Sequence, residues 1–198
     1  MAILLREYHS LSYDSGLVKE AKLKDQPVIV KALLQRADSL NQNNRKYPKE
    51  ILEREVENYR KSIVEGRACG ELDHPESSIV NLANVSHIVR DIWWENDDVL
   101  GKVEILTTPK GKIALDLMGA GVKLGISSRG VGETVKDDEG NDVVDESFML
   151  VAFDLVSEPS TQEAWLMREG KEVTLSTIRK TVPKVDRVAR AVEDILRK

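Results

Sequence analysis

Apolar residues recur along the chain in short runs bounded by Pro, Gly, Asn and Asp, a pattern typical of β-strands. The turn Asn96-Asp97-Asp98 joins two of these runs as a hairpin. The nearly continuous run Phe148 to Phe153 is typical of a strand buried on both faces. The runs predict strands over Ile3 to Tyr8, Pro27 to Leu34, Ala83 to Trp94, Val99 to Leu106, Gly125 to Gly130 and Phe148 to Phe153.

Helical spacing is confined to three stretches. The first opens at Tyr47-Pro48, carries an apolar stripe from Ile51 to Ile63 and is stopped by Gly66; the others are Lys110 to Gly119 and Lys184 to Lys198. Residues 10–26 lack clean periodicity and are interpreted as a loop with at most one short strand near Leu17. Several strands, few helices and no β-α-β alternation predict an α+β fold with a mostly antiparallel, barrel-like sheet.

Composition excludes several classes of function. The 198 residues suffice for one domain with an appendage, and 41% hydrophobic residues suffice for a core. A net charge of −5 gives no basic footprint for nucleic acid or an anionic membrane. The N-terminus does not resemble a signal peptide, and one cysteine, Cys69, excludes an internal disulfide. We expect a soluble intracellular protein that needs no metal or cofactor, since no Cys/His cluster has zinc spacing.

Candidate chemistry begins with Gly125-Ile126-Ser127-Ser128-Arg129-Gly130. Because side chains alternate along a strand, Ser127 faces away from Ile126 and Ser128 and is free to point into a cleft. The flanking glycines leave room for a closely approaching backbone, such as a substrate strand. A plain strand end followed by a turn explains the same residues without any chemistry.

A nucleophilic serine needs a base and an acid that orients the base. His74 lies in a loop rich in acids, whereas His9 lies near the terminus and His87 lies within an apolar strand, where a structural role is more common. Asp154 ends the long apolar run and needs a partner if it is buried. Other roles stay open: a metal site or a solvated loop at Glu71, Asp73 and His74, an ion pair between Glu71 or Asp73 and Arg129, and a nucleophilic or buried Cys69.

Taken together, these stretches resemble the prohead core proteases of tailed phages, most closely the T-even type. The resemblance runs in order from about residue 41 to residue 165. It is carried by Asn43-Asn44-Arg45-Lys46-Tyr47-Pro48-Lys49-Glu50-Ile51-Leu52, Gly70-Glu71-Leu72-Asp73-His74-Pro75, Asp91-Ile92-Trp93-Trp94 with Asp98-Val99-Leu100-Gly101, Gly125-Ile126-Ser127-Ser128-Arg129-Gly130, and Phe153-Asp154-Leu155-Val156-Ser157-Glu158-Pro159-Ser160 with Ala164-Trp165.

The resemblance implies a fold like that of the herpesvirus assemblins and a serine endopeptidase that cuts scaffold and capsid proteins inside the prohead, then itself. Its place of action would be the prohead interior in the host cytoplasm. The protease domain would span residues 1–170, and self-cleavage would remove part of a tail, 171–198. A homo-oligomer stays open. The alternative is a non-catalytic head-assembly protein that binds scaffold through the C-terminal helix, and a metal-dependent hydrolase is a distant third.

The resemblance also assigns residues. It places the histidine of its Gly-Glu-Leu-x-His-Pro motif on His74 and the nucleophile on Ser127. Asp154 is the favoured third member of the triad, with Glu158 and Glu146 as alternatives. Related proteases prefer glutamate before the scissile bond, which implies a basic subsite at Arg129, Arg45 or Lys46. Backbone N–H groups near Ser128 and Arg129 are the first candidates for an oxyanion hole.

Overall fold

The computed structural model describes residues 3–41, 43–75 and 77–157. Within these ranges the chain forms three α-helices, which are α1 Ser15–Leu23, α2 Lys49–Val64 and α3 Pro109–Gly119. A 3₁₀ turn covers Leu82–Asn84. The strands are β1 Ile3–Ser10, β2 Val28–Arg36, β3 Arg45–Lys46, β4 Cys69–Glu71, β5 Val85–Glu95, β6 Asp98–Ile105, β7 Gly125–Gly132, β8 Thr134–Lys136, β9 Asp142–Val144 and β10 Met149–Val156.

The strands form three sheets, and the two larger ones are antiparallel throughout. Their orders are β2-β6-β5-β4 and β1-β7-β10, while the small third sheet, β3-β9-β8, contains the parallel pair β3 and β9. The predicted α+β class with mostly antiparallel pairing is therefore confirmed. The barrel-like closure is not: the described strands form separate sheets, and a single bridge between Leu72 and Leu155 links the two larger ones.

The main core lies between the two larger sheets. Ile126 and Leu155 from one sheet, and Val89 and Val103 from the other, are at most 1% exposed and belong to the same apolar cluster. Helix α2 closes this cluster with the face that the sequence predicted, and its Tyr59 ring meets the Phe153 ring edge-on at 5.1 Å between centroids. Burying aromatic and branched side chains on both sheets is what holds β7 and β10 in place.

Helix α1 corrects the interpretation of residues 10–26 as a loop. The carboxylate of Asp14 accepts hydrogen bonds from the N–H groups of Gly16 and Leu17, which caps the first turn of the helix. Val18 is the one fully buried residue of this helix, and Leu17 and Leu23 are exposed. A helix that buries so little has only a short apolar stripe, Val18 and Ala21, and its periodicity is therefore weak in the sequence.

Three predictions fall outside the described residues. These are the C-terminal helix at 184–198, the division of the chain into 1–170 and 171–198, and Glu158 as a third triad member. Among the described residues, no helix has both the length and the apolar content needed to cross a membrane.

Candidate active site

Strand β7 lies in the middle of its sheet and carries Ser127 between two neighbours. Ser127 is directly opposite Tyr8 on β1 and directly opposite Asp154 on β10. Residues directly opposite each other in antiparallel strands have side chains on the same face. The hydroxyl of Ser127 and the carboxylate of Asp154 therefore share a face of this sheet, which we call the site face.

The segment after β4 brings His74 to the same place. Gly70 makes this approach possible, because a Cβ there would lie 1.9 Å from the carbonyl oxygen of Phe153. The chain then runs beside β10, where the Asp73 N–H donates to Leu155 O at 2.8 Å. Asp73 adopts a left-handed φ of 65°, which turns the chain just before His74. The sequence motif around His74 thus builds a bend against β10.

His74 and Asp154 form a direct hydrogen bond, with Nδ1 and Oδ2 3.0 Å apart. Because an ionised carboxylate only accepts hydrogen bonds, this contact places the proton of a neutral imidazole on Nδ1. Nε2 is then the basic nitrogen, and it makes no hydrogen bond within the described residues. The His74 side chain is 19% exposed, whereas Asp154 is fully buried. This is the pairing that a general base and its orienting acid require.

Arg129 is the second partner of Asp154. Its Nε donates to Oδ2 at 2.7 Å, and its Nη2 donates to Oδ1 at 3.1 Å. Nη2 also reaches Oε1 of Glu71 at 3.1 Å, and Nη1 donates to the carbonyl oxygen of Ser77 at 2.6 Å. The side chain is fully buried, and every guanidinium nitrogen donates to a group of this chain. The guanidinium is therefore committed to contacts within the protein.

The carboxyl group of Asp154 stays ionised despite its burial. Burial raises its pKa, but hydrogen bonds from His74, Arg129 and the Glu71 N–H, together with the positive charge of Arg129, hold the pKa below its ordinary value. Donors to the charged form favour that form. Asp154 is therefore an anion at neutral pH, which is the state that stabilises a protonated imidazole.

Ser127 is covered in this conformation. It is 1% exposed, and its hydroxyl donates over 3.5 Å to the carbonyl oxygen of Ser128. No hydrogen bond between Ser127 and His74 is present within the described part of the chain. Nucleophile–base contacts are often long in the absence of substrate and tighten when substrate binds.

The glycines that flank the serines do not open a path for a substrate strand. A Cβ at Gly125 would lie 1.8 Å from Cε2 of Tyr8, so this glycine makes room for the tyrosine ring on the site face. A Cβ at Gly130 would lie 2.3 Å from Cε2 of Phe148. Both glycines accommodate aromatic rings of this chain, which corrects the role expected from the sequence.

Ser128 lies on the opposite face of β7, as the alternation predicted. Its hydroxyl accepts a hydrogen bond from Nε2 of Gln35 at 3.0 Å. Nε2 of His9 lies 3.3 Å from Oε1 of the same Gln35 side chain. Ser128 and Arg129 pair with neighbours on both sides of the sheet. Their N–H groups lie within these ladders, so an oxyanion hole built from them requires local opening of the strand pairing.

The other candidate residues have structural surroundings. His87 is fully buried between Ser86 Oγ and the carbonyl oxygen of Phe153, and burial lowers its pKa to about 4. Glu71 belongs to the Arg129 ion pair, so it is not part of a solvated loop. Among the described residues, no three His, Cys, Asp or Glu side chains form a group that could hold a metal ion. Cys69 is half-buried in β4 with a pKa raised by burial.

Three further predicted residues, Glu146, Arg45 and Lys46, form no hydrogen bond with His74 in the described part of the chain. Glu146 is exposed in the turn before β10, whereas Asp154 lies towards the other end of that strand. Arg45 donates to the carbonyl oxygen of Arg6 and, with Lys46, forms the short strand β3. Of the carboxylates proposed from the sequence that the structure describes, Asp154 is the one that meets the imidazole.

Arg6 was not among the residues predicted from the sequence. Its position in β1 is directly opposite Arg129, and its Nη2 donates to the carbonyl oxygen of Pro75 at 2.7 Å. This bond ties β1 to the segment that carries His74. The one signal in the sequence was a charged residue, Arg6, directly after two leucines in a predicted strand. Its partner, Pro75, lies 69 positions away, so local spacing could not indicate the contact.

Comparisons with known proteins identify the family of this chain. A family model described as "Prohead core protein serine protease" matches residues 14–178, which is most of the chain. The chain belongs to the prohead core serine protease family. It is a serine-type protease of phage head maturation, as the resemblance in the sequence implied.

A sequence match and a structural match both come from bacteriophage T4. The prohead core protein protease of Enterobacteria phage T4 is 33% identical over 174 residues, covering 85% of this chain and 81% of the relative. A solved structure of the bacteriophage T4 capsid assembly protease superposes with a TM-score of 0.68 at 27% identity. That match covers 80% of this chain and 99% of the solved chain. The protease therefore shares its fold with a solved capsid assembly protease.

Proposed function

We propose that the protease cleaves peptide bonds with Ser127 as nucleophile, His74 as general base and Asp154 as the acid that orients the base. The observation that carries this proposal is the bond from Nδ1 of His74 to Asp154, on the residue directly opposite Ser127 in the sheet. Asp154 thereby engages Nδ1 of His74, and Nε2 is left to take a proton from the Ser127 hydroxyl.

The proposed reaction has two halves. Ser127 Oγ attacks the peptide carbonyl while Nε2 of His74 takes the hydroxyl proton, and the same proton then passes to the leaving amine. A water molecule, whose proton passes to Nε2 of His74, next attacks the acyl-enzyme carbonyl, and His74 returns the proton to Ser127 Oγ as the acyl bond breaks. In both halves Asp154 stabilises the imidazolium without taking its proton. Since Ser127 is 1% exposed, substrate binding has to uncover it.

The proposed substrates are the scaffold and capsid proteins of the prohead, followed by the protease itself. The support is the family membership and the capsid assembly role named for the T4 structure. We also propose the closer likeness to the assemblin fold that the sequence resemblance implied, supported by the mostly antiparallel pairing of the strands. We also propose that self-cleavage removes part of the tail, residues 171–198.

Adjacent serines provide a matched test. We expect Ser127→Ala to abolish both self-cleavage and the cleavage of a co-expressed prohead scaffold protein, measured by gel and intact mass. Ser128→Ala removes a hydroxyl one position away, on the other face of the same strand, and should retain cleavage in folded protein. Wild-type processing by Ser127→Ala would contradict the proposal and favour the non-catalytic assembly role.

A further inference from the structure

The buried pair of Arg129 and Glu71 has no part in the Ser-His-Asp chemistry itself. We propose that Arg129 is a positioning residue that fixes the Asp154 carboxylate towards His74, and that Glu71 is the counter-charge that holds Arg129 in place. This inference rests on the proposed function, because it concerns the acid of the same triad. It also assigns to Arg129 a role other than substrate contact.

The contacts of Arg129 determine the orientation of Asp154. Nε and Nη2 donate to the two different oxygens of this carboxylate, at 2.7 and 3.1 Å. Such a two-point contact with a planar guanidinium fixes the plane of the carboxylate, whereas a lysine ammonium would act as a point charge. Oδ2, the oxygen that receives Nε, is also the oxygen 3.0 Å from Nδ1 of His74. Turning the carboxylate would break both contacts.

Glu71 completes the arrangement from the other side. Its backbone N–H donates to Oδ1 of Asp154 at 3.1 Å, and its Oε1 accepts from Nη2 of Arg129. All three side chains are at most 1% exposed. With Asp154 as its single anionic partner, the buried guanidinium would be hydrogen-bonded to a carboxylate on one side only. Glu71 gives it a second anionic partner, so that Arg129 remains in the plane that suits Asp154.

The same pair also fixes the segment on which His74 lies. Nη1 of Arg129 donates to the carbonyl oxygen of Ser77 at 2.6 Å, and the N–H of Asn81 donates to Oε1 of Glu71 at 3.0 Å. Glu71 precedes His74 by three residues and Ser77 follows it by three. The imidazole is therefore held between two attachment points of one ion pair, so both sides of the His74–Asp154 bond depend on Arg129.

Steady-state kinetics on a scaffold-derived peptide test this role. We expect Arg129→Gln to lower kcat on the order of 100-fold with little change in KM, less than the roughly 10⁴-fold loss expected when the acid of a triad is replaced. Arg129→Lys keeps the positive charge but cannot make the two-point guanidinium contact, so its kcat should lie between those of Arg129→Gln and the wild type. The matched control is Arg90→Gln, which removes an arginine from an exposed pair with Glu104 and should leave kcat unchanged.

The pH dependence of kcat/KM separates positioning from general destabilisation. Asp154 is faced by His74, Arg129 and Glu71, and it also interacts with His87 from β5 and Tyr59 from α2. Removing the positive charge in Arg129→Gln should move the acidic limb to higher pH. Removing a negative charge in Glu71→Gln should move it to lower pH. Opposite displacements are expected only if both charges act on the triad.

Three results would overturn the inference. A raised KM with wild-type kcat in Arg129→Gln would mean that the guanidinium binds substrate. Wild-type kcat with an unchanged acidic limb would leave the pair with a structural role alone. If Arg129→Gln does not fold, the test relies on Glu71→Gln. An acidic limb of its kcat/KM profile that stays in place or moves to higher pH would then contradict the proposal. Activity in Ser127→Ala would instead contradict the proposed function, which separates the two failures.

Discussion

Asp154 and Glu7 are two buried carboxyl groups of the same three-stranded sheet, and they lie on opposite faces of it. Asp154 pairs with Ser127, whereas Glu7 pairs with Ser128 one position further along β7. Both are at most 4% exposed. Their pKa values nevertheless move in opposite directions: that of Asp154 is lowered, and that of Glu7 is raised to about 8.

The partners account for the difference, since burial penalises both anions. Burial is the largest influence on Glu7, and the charge of Arg45 and side-chain amide donors of the turn that holds Asn41 and Asn43 only partly oppose it. Glu7 lines a polar cavity of about 160 Å³ together with the buried Tyr47, whose hydroxyl has no partner within the described residues. Asp154 instead receives a two-point guanidinium contact. In this protein the anion that serves the base is thus kept ionised with the help of the cation beside it.

The largest effect should come from neutralising the carboxylate on the site face. Asp154→Asn keeps the shape of the side chain but removes the charge that orients His74 and stabilises its protonated form. We expect kcat to fall by about 10⁴-fold, as when the acid of a serine protease triad is replaced by its amide. Glu7→Gln, the matched change on the other face, should keep kcat near wild type. An equal fall in kcat in Asp154→Asn and Glu7→Gln would contradict the different roles assigned to the two carboxyl groups.

Glu7→Gln should instead change the pH dependence of stability. The pKa of Glu7 is about 8 in the folded protein and near 4.5 when exposed, so between these values the folded state holds a proton that the unfolded state has released. The free energy of unfolding should therefore fall as pH rises across this window, by about 5 kcal/mol.

The glutamine variant should remove this part of the pH dependence and be more stable than wild type near pH 8. Urea denaturation at several pH values measures the difference. Parallel pH curves for the two proteins would show that Glu7 is ionised in the folded state, and the contrast with Asp154 would be lost.

A smaller effect is expected from the two serines. Ser128→Ala leaves Nε2 of Gln35 without its acceptor in a buried place, which should cost about 1–3 kcal/mol of unfolding free energy. Ser127→Ala removes only a long bond to the Ser128 carbonyl oxygen and should cost less. Urea denaturation of the two alanine variants tests this order. A larger stability loss for Ser127→Ala would mean that its hydroxyl, too, is mainly structural.

Local patterns were sufficient for most of the fold. The stripe on α2, the hairpin at residues 96–98 and the apolar run in β10 all predicted their elements, because each buries a periodic face. Helix α1 was missed because its stability rests on the Asp14 cap and on a single fully buried residue, Val18. Barrel closure could not be judged from the sequence, since it depends on which strand edges meet.

The site was partly predictable for the same reason. Alternation along β7 separated Ser127 from Ser128, and the cost of burying Asp154 called for a partner. The choice between partners required the structure. Arg129 contacts Glu71 across 58 positions of sequence and Asp154 across 25, and no local spacing encodes those distances. The flanking glycines were misinterpreted because their aromatic neighbours come from other strands.

The most direct test of the account is labelling with a peptidyl phosphonate derived from a scaffold sequence, which binds as a substrate does and reacts with serines activated by a base. Peptide mass mapping should place the label on Ser127 of the wild-type protein and of Glu7→Gln, and labelling should be far slower in Asp154→Asn. A label on Ser128, or equally fast labelling of Ser127 in Asp154→Asn, would contradict the claim that Asp154 and His74 activate Ser127.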